Sequence, residues 1–265
     1  MKRSREPPLR LGFEAASDSP KKEQRQQTAA KLRANRTERR KKGRKEHAPP
    51  SLIGASCAAT FDAICKRYSD RPFVGTLTPD ASGYAWTTYS EFWRMVERFS
   101  SALIDRFAVG DAVGICATNR LEWLVADWSC VRAGVISIPI DKHRASDAAG
   151  LSAVAKAARL AAVVCEPEQR DAFSALDPPL RFTFLLDSPD DSTAYAGSAD
   201  VLSFDCMVAD DAPVQPPRPH ASTAVSTIIW SSGTTGVPKG VPIREATLLE
   251  DLAEVEADFD DAQHP

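Results

Sequence analysis

The chain is poor in residues that mark several classes of protein. It has four histidines in 265 residues, and its six cysteines (Cys57, Cys65, Cys116, Cys130, Cys165 and Cys206) include no C-x-x-C pair. That removes the recognisable zinc patterns, and no metal ligands are expected. In a chain this long, scattered cysteines among apolar neighbours read as small, reduced core side chains rather than a disulfide framework. No run of 18 apolar residues exists, so no membrane-spanning helix is expected. The start, Met1-Lys2-Arg3-Ser4-Arg5-Glu6-Pro7-Pro8, leads into no apolar segment of the kind a secretory signal needs. The expectation is an intracellular protein, cytoplasmic or peripheral on an organelle membrane.

What is present divides into two parts. Residues 1–50 carry 16 Lys/Arg against 6 Asp/Glu, whereas the remainder carries 17 against 30. The first part is polar and nearly free of aromatics, so it cannot bury enough apolar surface to offset its ordering entropy; it is predicted to be a disordered basic tail. Its cluster Arg39-Arg40-Lys41-Lys42-Gly43-Arg44-Lys45 admits two readings, a nuclear address or a solvated tail. Nucleic-acid binding is the weaker alternative, because no aromatics are interleaved to stack on bases.

From residue 51 onward the pattern is that of a folded α/β unit. Helices are predicted over 60–68, 89–106, 120–133, 146–160 and 168–176. Strands are predicted over 73–78, 84–88, 112–117, 135–140, 161–165 and 181–186, with a turn at Asp80-Ala81-Ser82-Gly83. Strand–helix alternation at this pitch implies βαβ units around a mostly parallel sheet with flanking helices. Residues 188–222, rich in Asp, Ser and Pro, show no periodicity and read as a long surface connection.

The connection ends in the most informative segment. A β-branched run from Ala224 to Trp230 reads as a buried strand and opens into Ser231-Ser232-Gly233-Thr234-Thr235-Gly236-Val237-Pro238-Lys239-Gly240. Hydroxyls, backbone N–H groups freed by glycine, and one lysine suit a polyphosphate. It is not a Walker A loop, which needs Gly-x4-Gly-Lys-Ser/Thr. A flexible linker would share the composition but needs neither the Pro-Lys-Gly ending nor a strand before it.

This segment resembles the phosphate loop of the adenylate-forming superfamily of acyl-CoA synthetases, luciferases and peptide-synthetase adenylation domains. Further blocks are similar to that family: Trp86-Thr87-Thr88-Tyr89-Ser90-Glu91, Asn119-Arg120-Leu121-Glu122-Trp123, and Ala133-Gly134 running to Pro139-Ile140. Their wording leans towards long-chain fatty acid–CoA ligases. The resemblance implies a partial N-terminal large domain over residues 51–265, truncated after the phosphate loop. It also implies ATP, Mg²⁺ and coenzyme A as cofactors or co-substrates. The implied reaction joins a carboxylic, most often fatty, acid to the α-phosphorus of ATP, expels pyrophosphate, and passes the acyl group to the CoA thiol. Alternatives are a non-catalytic nucleotide- or partner-binding protein and nucleic-acid binding through the tail.

By the same resemblance, Ser231, Ser232, Thr234 and Thr235 would donate hydroxyl hydrogen bonds. Gly233, Gly236 and Gly240 would let the loop approach the phosphates, and Lys239 would add charge. The family's remaining catalytic residues would fall beyond Pro265, so the chain alone is expected to be inactive and to leave sheet edges uncovered. One local departure is Arg244-Glu245, where the family has a pair such as Thr-His. An acid near a triphosphate is unfavourable unless it points away. Trp93, Trp123 and Trp128 read as core or interface side chains, and His143 and Asp187, each after a strand, as surface and turn residues.

Overall fold

The computed structural model describes residues 53–187, 200–219, 221–231 and 239–262, the last helix with side chains only as far as residue 253. The basic tail read over residues 1–50 lies outside them.

The described part begins with helix α1 (Cys57–Arg67), whose first turn is capped by the Ser56 side chain accepting the Ala59 N–H. A hairpin of β1 (Pro72–Leu77) and β2 (Tyr84–Thr88) follows, antiparallel as the Asp80 turn implied. Thr88 and Glu91 form a reciprocal capping box that starts α2 (Tyr89–Arg106) at the residue where the sequence placed it. The face of α2 carrying Phe92, Val96, Phe99 and Leu103 is fully buried. Trp93 is buried and donates its indole N–H to Asp62 at 2.9 Å, and Trp128 stacks on Phe61 with ring centroids 4.0 Å apart.

The strand–helix alternation is realised as β3 (Ala112–Cys116), α3 (Leu121–Ala133), β4 (Ile136–Pro139), α4 (Lys142–Ala145), α5 (Ala148–Ala158) and β5 (Leu160–Cys165). A 3₁₀ turn (Pro167–Gln169), α6 (Arg170–Ser174), β6 (Phe182–Leu185), β7 (Val201–Ser203) and α7 (Phe204–Val208) come next. The described chain closes with β8 (Val225–Ser231), β9 (Lys239–Arg244) and α8 (Glu245–Ala262). Strands pair in the order β7-β6-β5-β3-β4-β8-β9; all neighbours are parallel except β8 and β9.

Alternation along the strands builds two cores. Val113, Ile115, Ala162, Val164 and Phe184 face α1, α2 and α3, with Phe204 of α7 closing that layer. Cys116, Val163, Cys165 and Leu185 face the other side, against Leu151 and Val154 of α5 and Phe173 of α6. Both faces are covered, which is why β3 and β5 read as continuous apolar runs rather than alternating ones.

Two expectations need correction. The helix read over 146–160 is one shorter helix, α5 (Ala148–Ala158): the single-turn α4 ends ahead of it at Ala145, and Arg159, in a left-handed conformation (φ 52°), ends it so that Leu160 already belongs to β5. The connection over 188–222 is not structureless where it is described. It contributes β7 to the sheet edge and α7 with its fully buried Phe204, elements too short to show a period.

Candidate functional site

β8 runs parallel to β4, so its carboxyl end joins the ends of β3, β5 and β6 on the edge of the sheet where ligands bind in α/β folds. The chain returns along β9, antiparallel, with Ser231 opposite Lys239 and Trp230 opposite Gly240. Of the sequence-predicted site, Ser231, Lys239 and Gly240 are therefore placed at the ends of two hydrogen-bonded arms. Ser232, Gly233, Thr234, Thr235 and Gly236 lie outside the described residues. Lys239 is exposed and takes part in no ion pair among the described residues, a cation available to an anionic ligand. The Ser231 hydroxyl donates to the Lys239 carbonyl at 3.3 Å.

Gly240 has a structural reason that its family role did not supply. A Cβ there would sit 2.9 Å from Ile228 and 3.3 Å from the Trp230 ring, so the missing side chain is what lets β9 lie flat on β8. Pro242, with no N–H to donate, is tolerated because β9 is the edge strand. Glu245 does not face the loop. It is buried at the opposite end of the hairpin, accepting the Cys57 N–H at 2.7 Å and the Ser226 hydroxyl at 2.9 Å.

A second group of charges, not foreseen from spacing, occupies the same sheet edge. The chain leaves β3 for α3 and β4 on one side, and leaves β5 for β6 on the other, so a crevice opens between β3 and β5. Glu166, just past β5, is buried there and receives Thr118 N–H at 3.0 Å, the Thr118 hydroxyl at 2.5 Å and Lys142 Nζ at 2.5 Å. Arg120 forks onto Asp187 at 2.5 and 2.8 Å and onto Glu122 at 2.6 Å. Burial would raise the Glu166 carboxyl, but the hydrogen bonds from Lys142 and Thr118 outweigh it and hold the group at about 2. The hydrogen bonds from Arg120 likewise lower Asp187. Carboxylates so committed are poor proton acceptors near neutral pH and act as an ionic plug. Asp187 is the turn residue expected (φ 49°), with an ion pair added. His143 is exposed, and its neighbour Lys142 is the one turned into the crevice. The signal for this cluster was positional: each member lies within a few residues of a strand's carboxyl end or, for Lys142, just past β4.

Comparisons with known proteins identify a family. The model of the AMP-binding enzyme family matches residues 61–264. Long chain acyl-CoA synthetase 7, peroxisomal, of Arabidopsis thaliana is 29% identical over 215 residues, covering 75% of this chain and 30% of its own length. Human long-chain-fatty-acid–CoA ligase 1 is 26% identical over 69% of this chain and 28% of its own. The chain thus spans less than a third of these relatives. The adenylation domain of a carboxylic acid reductase from Segniliparus rugosus, solved with AMP and a co-purified carboxylic acid, superposes with a TM-score of 0.60 at 20% identity. That alignment covers 74% of this chain and 37% of the reductase domain, and it carries the fold. With more than half its length matched by the family model, this chain belongs to the AMP-binding enzymes.

Proposed function

We propose that this chain carries the ATP phosphate-binding part of an AMP-forming acid–CoA ligase acting on a fatty acid. The observation that supports it most is that Ser231 and Lys239, the described ends of the Ser231–Gly240 sequence, lie opposite each other on β8 and β9 at the ligand-binding edge of a parallel sheet, with Lys239 exposed and in no ion pair among the described residues. In this reading Ser231, Ser232, Thr234 and Thr235 donate to phosphate oxygens, Gly233 and Gly236 admit close backbone approach, and Lys239 neutralises charge. Gly240 keeps the arm against Trp230.

A carboxylate is a weak nucleophile meeting a polyanion, so the work left to the protein is positioning and charge neutralisation. The acid's oxygen bonds to the α-phosphorus as the bond to pyrophosphate breaks; the CoA thiol then bonds to the acyl carbon as AMP leaves and the thiol proton passes to solvent. Mg²⁺ would share the neutralisation of the phosphates. The fatty-acid assignment rests on the names of the relatives, which include long-chain ligases from plant and human.

The test is isotope exchange between pyrophosphate and ATP by the full-length protein, with and without a series of fatty acids. Exchange that requires the acid, and that falls at least about tenfold in Lys239→Ala through weaker ATP binding, is expected. ATP binding without acid-dependent exchange would favour the non-catalytic reading.

A further inference from the structure

Glu245 is the most deeply buried charged side chain among the described residues, at 1% exposure. A carboxylate is costly in such a place unless both oxygens are satisfied. Here they are divided between two elements. Oε1 accepts the amide of Cys57, the first residue of α1, where the helix presents unsatisfied N–H groups and the positive end of its dipole. Oε2 accepts the hydroxyl of Ser226, near the start of β8. The Glu245 backbone N–H donates to the Ala224 carbonyl at 3.0 Å, and its own carbonyl accepts from Cys57 Sγ at 3.7 Å. Glu245 itself directly follows β9.

One side chain thus fastens both arms of the β8–β9 hairpin to a third element, at the end opposite Ser231 and Lys239. We propose that Glu245 is a positioning residue for the phosphate loop: by clamping the foot of the hairpin to α1, it holds the register that sets Lys239 opposite Ser231. The proposal rests on the reading of Ser231–Gly240 as the ATP phosphate site. Register carries this weight because a slip of one residue turns every side chain of a strand to the other face, Lys239 included.

The experiment compares full-length wild type with Glu245→Ala, Glu245→Gln and Cys57→Pro. The proline variant removes the amide that Glu245 accepts and, with the thiol, the weaker Sγ contact to the Glu245 carbonyl. Proline is favoured at a helix's first position, and Ser56 before it is already extended (φ −149°, ψ 162°). Two quantities are read: amide hydrogen exchange of Gly240, Val241, Ile243 and Arg244, and KM for ATP against kcat in pyrophosphate exchange. In Glu245→Ala and Cys57→Pro, β9 amides should exchange about tenfold faster while Val113 and Ile115 in β3 are unchanged. KM for ATP should rise about tenfold with kcat within about threefold of wild type. Glu245→Gln keeps an oxygen for the Cys57 amide and an NH₂ for the Ser226 hydroxyl, and should restore both readouts to within about threefold.

Faster exchange throughout the molecule with an unchanged KM for ATP would mark a general structural role and overturn the proposal. So would a raised KM that Gln does not rescue. If wild type binds no ATP yet β9 loosens in Glu245→Ala, the clamp stands and the ATP reading falls.

Discussion

Single residues in this fold show how the same carboxyl chemistry is tuned in opposite directions. Asp127 on α3 accepts the Ser137 hydroxyl at 2.5 Å, yet burial pushes its carboxyl above the ordinary 3.8, with that hydrogen bond offsetting only part of the shift. A raised carboxyl contributes stability below its unfolded value that is lost as pH rises through its folded one. Asp127→Asn keeps the acceptor and removes the charge, so it should stabilise the protein by about 1 kcal/mol at pH 7, an advantage that fades towards pH 3 in denaturant melts. Glu166 is the reverse case. Held at about 2 against an ordinary 4.5, its stabilisation is present above 4.5 and lost as pH falls from there towards 2. Glu166→Gln should therefore flatten the acid limb of stability between those values, read by the same melts. The phosphate reading of Ser231–Gly240 rests on residue chemistry alone, each type having a reason to meet an anion. The partner of Glu245 was not legible in the sequence: Cys57 lies 188 positions away, a distance no local pattern spans.

Elements were legible where their ends carry chemistry. The Thr88–Glu91 box made the start of α2 readable to the residue, and Gly134, left-handed at φ 69°, closes α3 where the sequence placed its end. Thr88→Ala should cost about 1 kcal/mol through loss of the cap. Gly134→Ala should cost about the same by forcing a Cβ into the left-handed region. Either loss would show as a lowered urea midpoint with an unchanged slope. β7 and α7 escaped notice because they hold three and five residues, less than one repeat of any pattern. β9 escaped because proline at Pro242 argues against a strand; only pairing with β8 at the sheet edge makes it one.

At the scale of the molecule, alternation announced a parallel sheet but not its order. The reversal between β3 and β5, which opens the crevice plugged by Glu166 and Arg120, depends on tertiary pairing alone. The edge strand has its own liability: Ile229 and Val241 face each other across the hairpin at 48% and 53% exposure. Val241→Lys should lower self-association in light scattering and leave the melting temperature within about 1 °C, since it removes an exposed apolar edge and no core contact. The hairpin joins the sheet through one ladder pair, Ser137 with Thr227, reinforced by the Thr227 hydroxyl donating to the Ser137 carbonyl at 3.0 Å across 90 positions of chain. Synthesis runs from the N-terminus, so β3, β4 and β5 are all translated before β8. During that interval the outer rim of β4 stands as an open template for pairing, closed only when a strand some 90 positions later arrives. The β8–β9 hairpin is the last described strand pair to leave the ribosome, and the nascent chain depends on it to shield β4 from its neighbours.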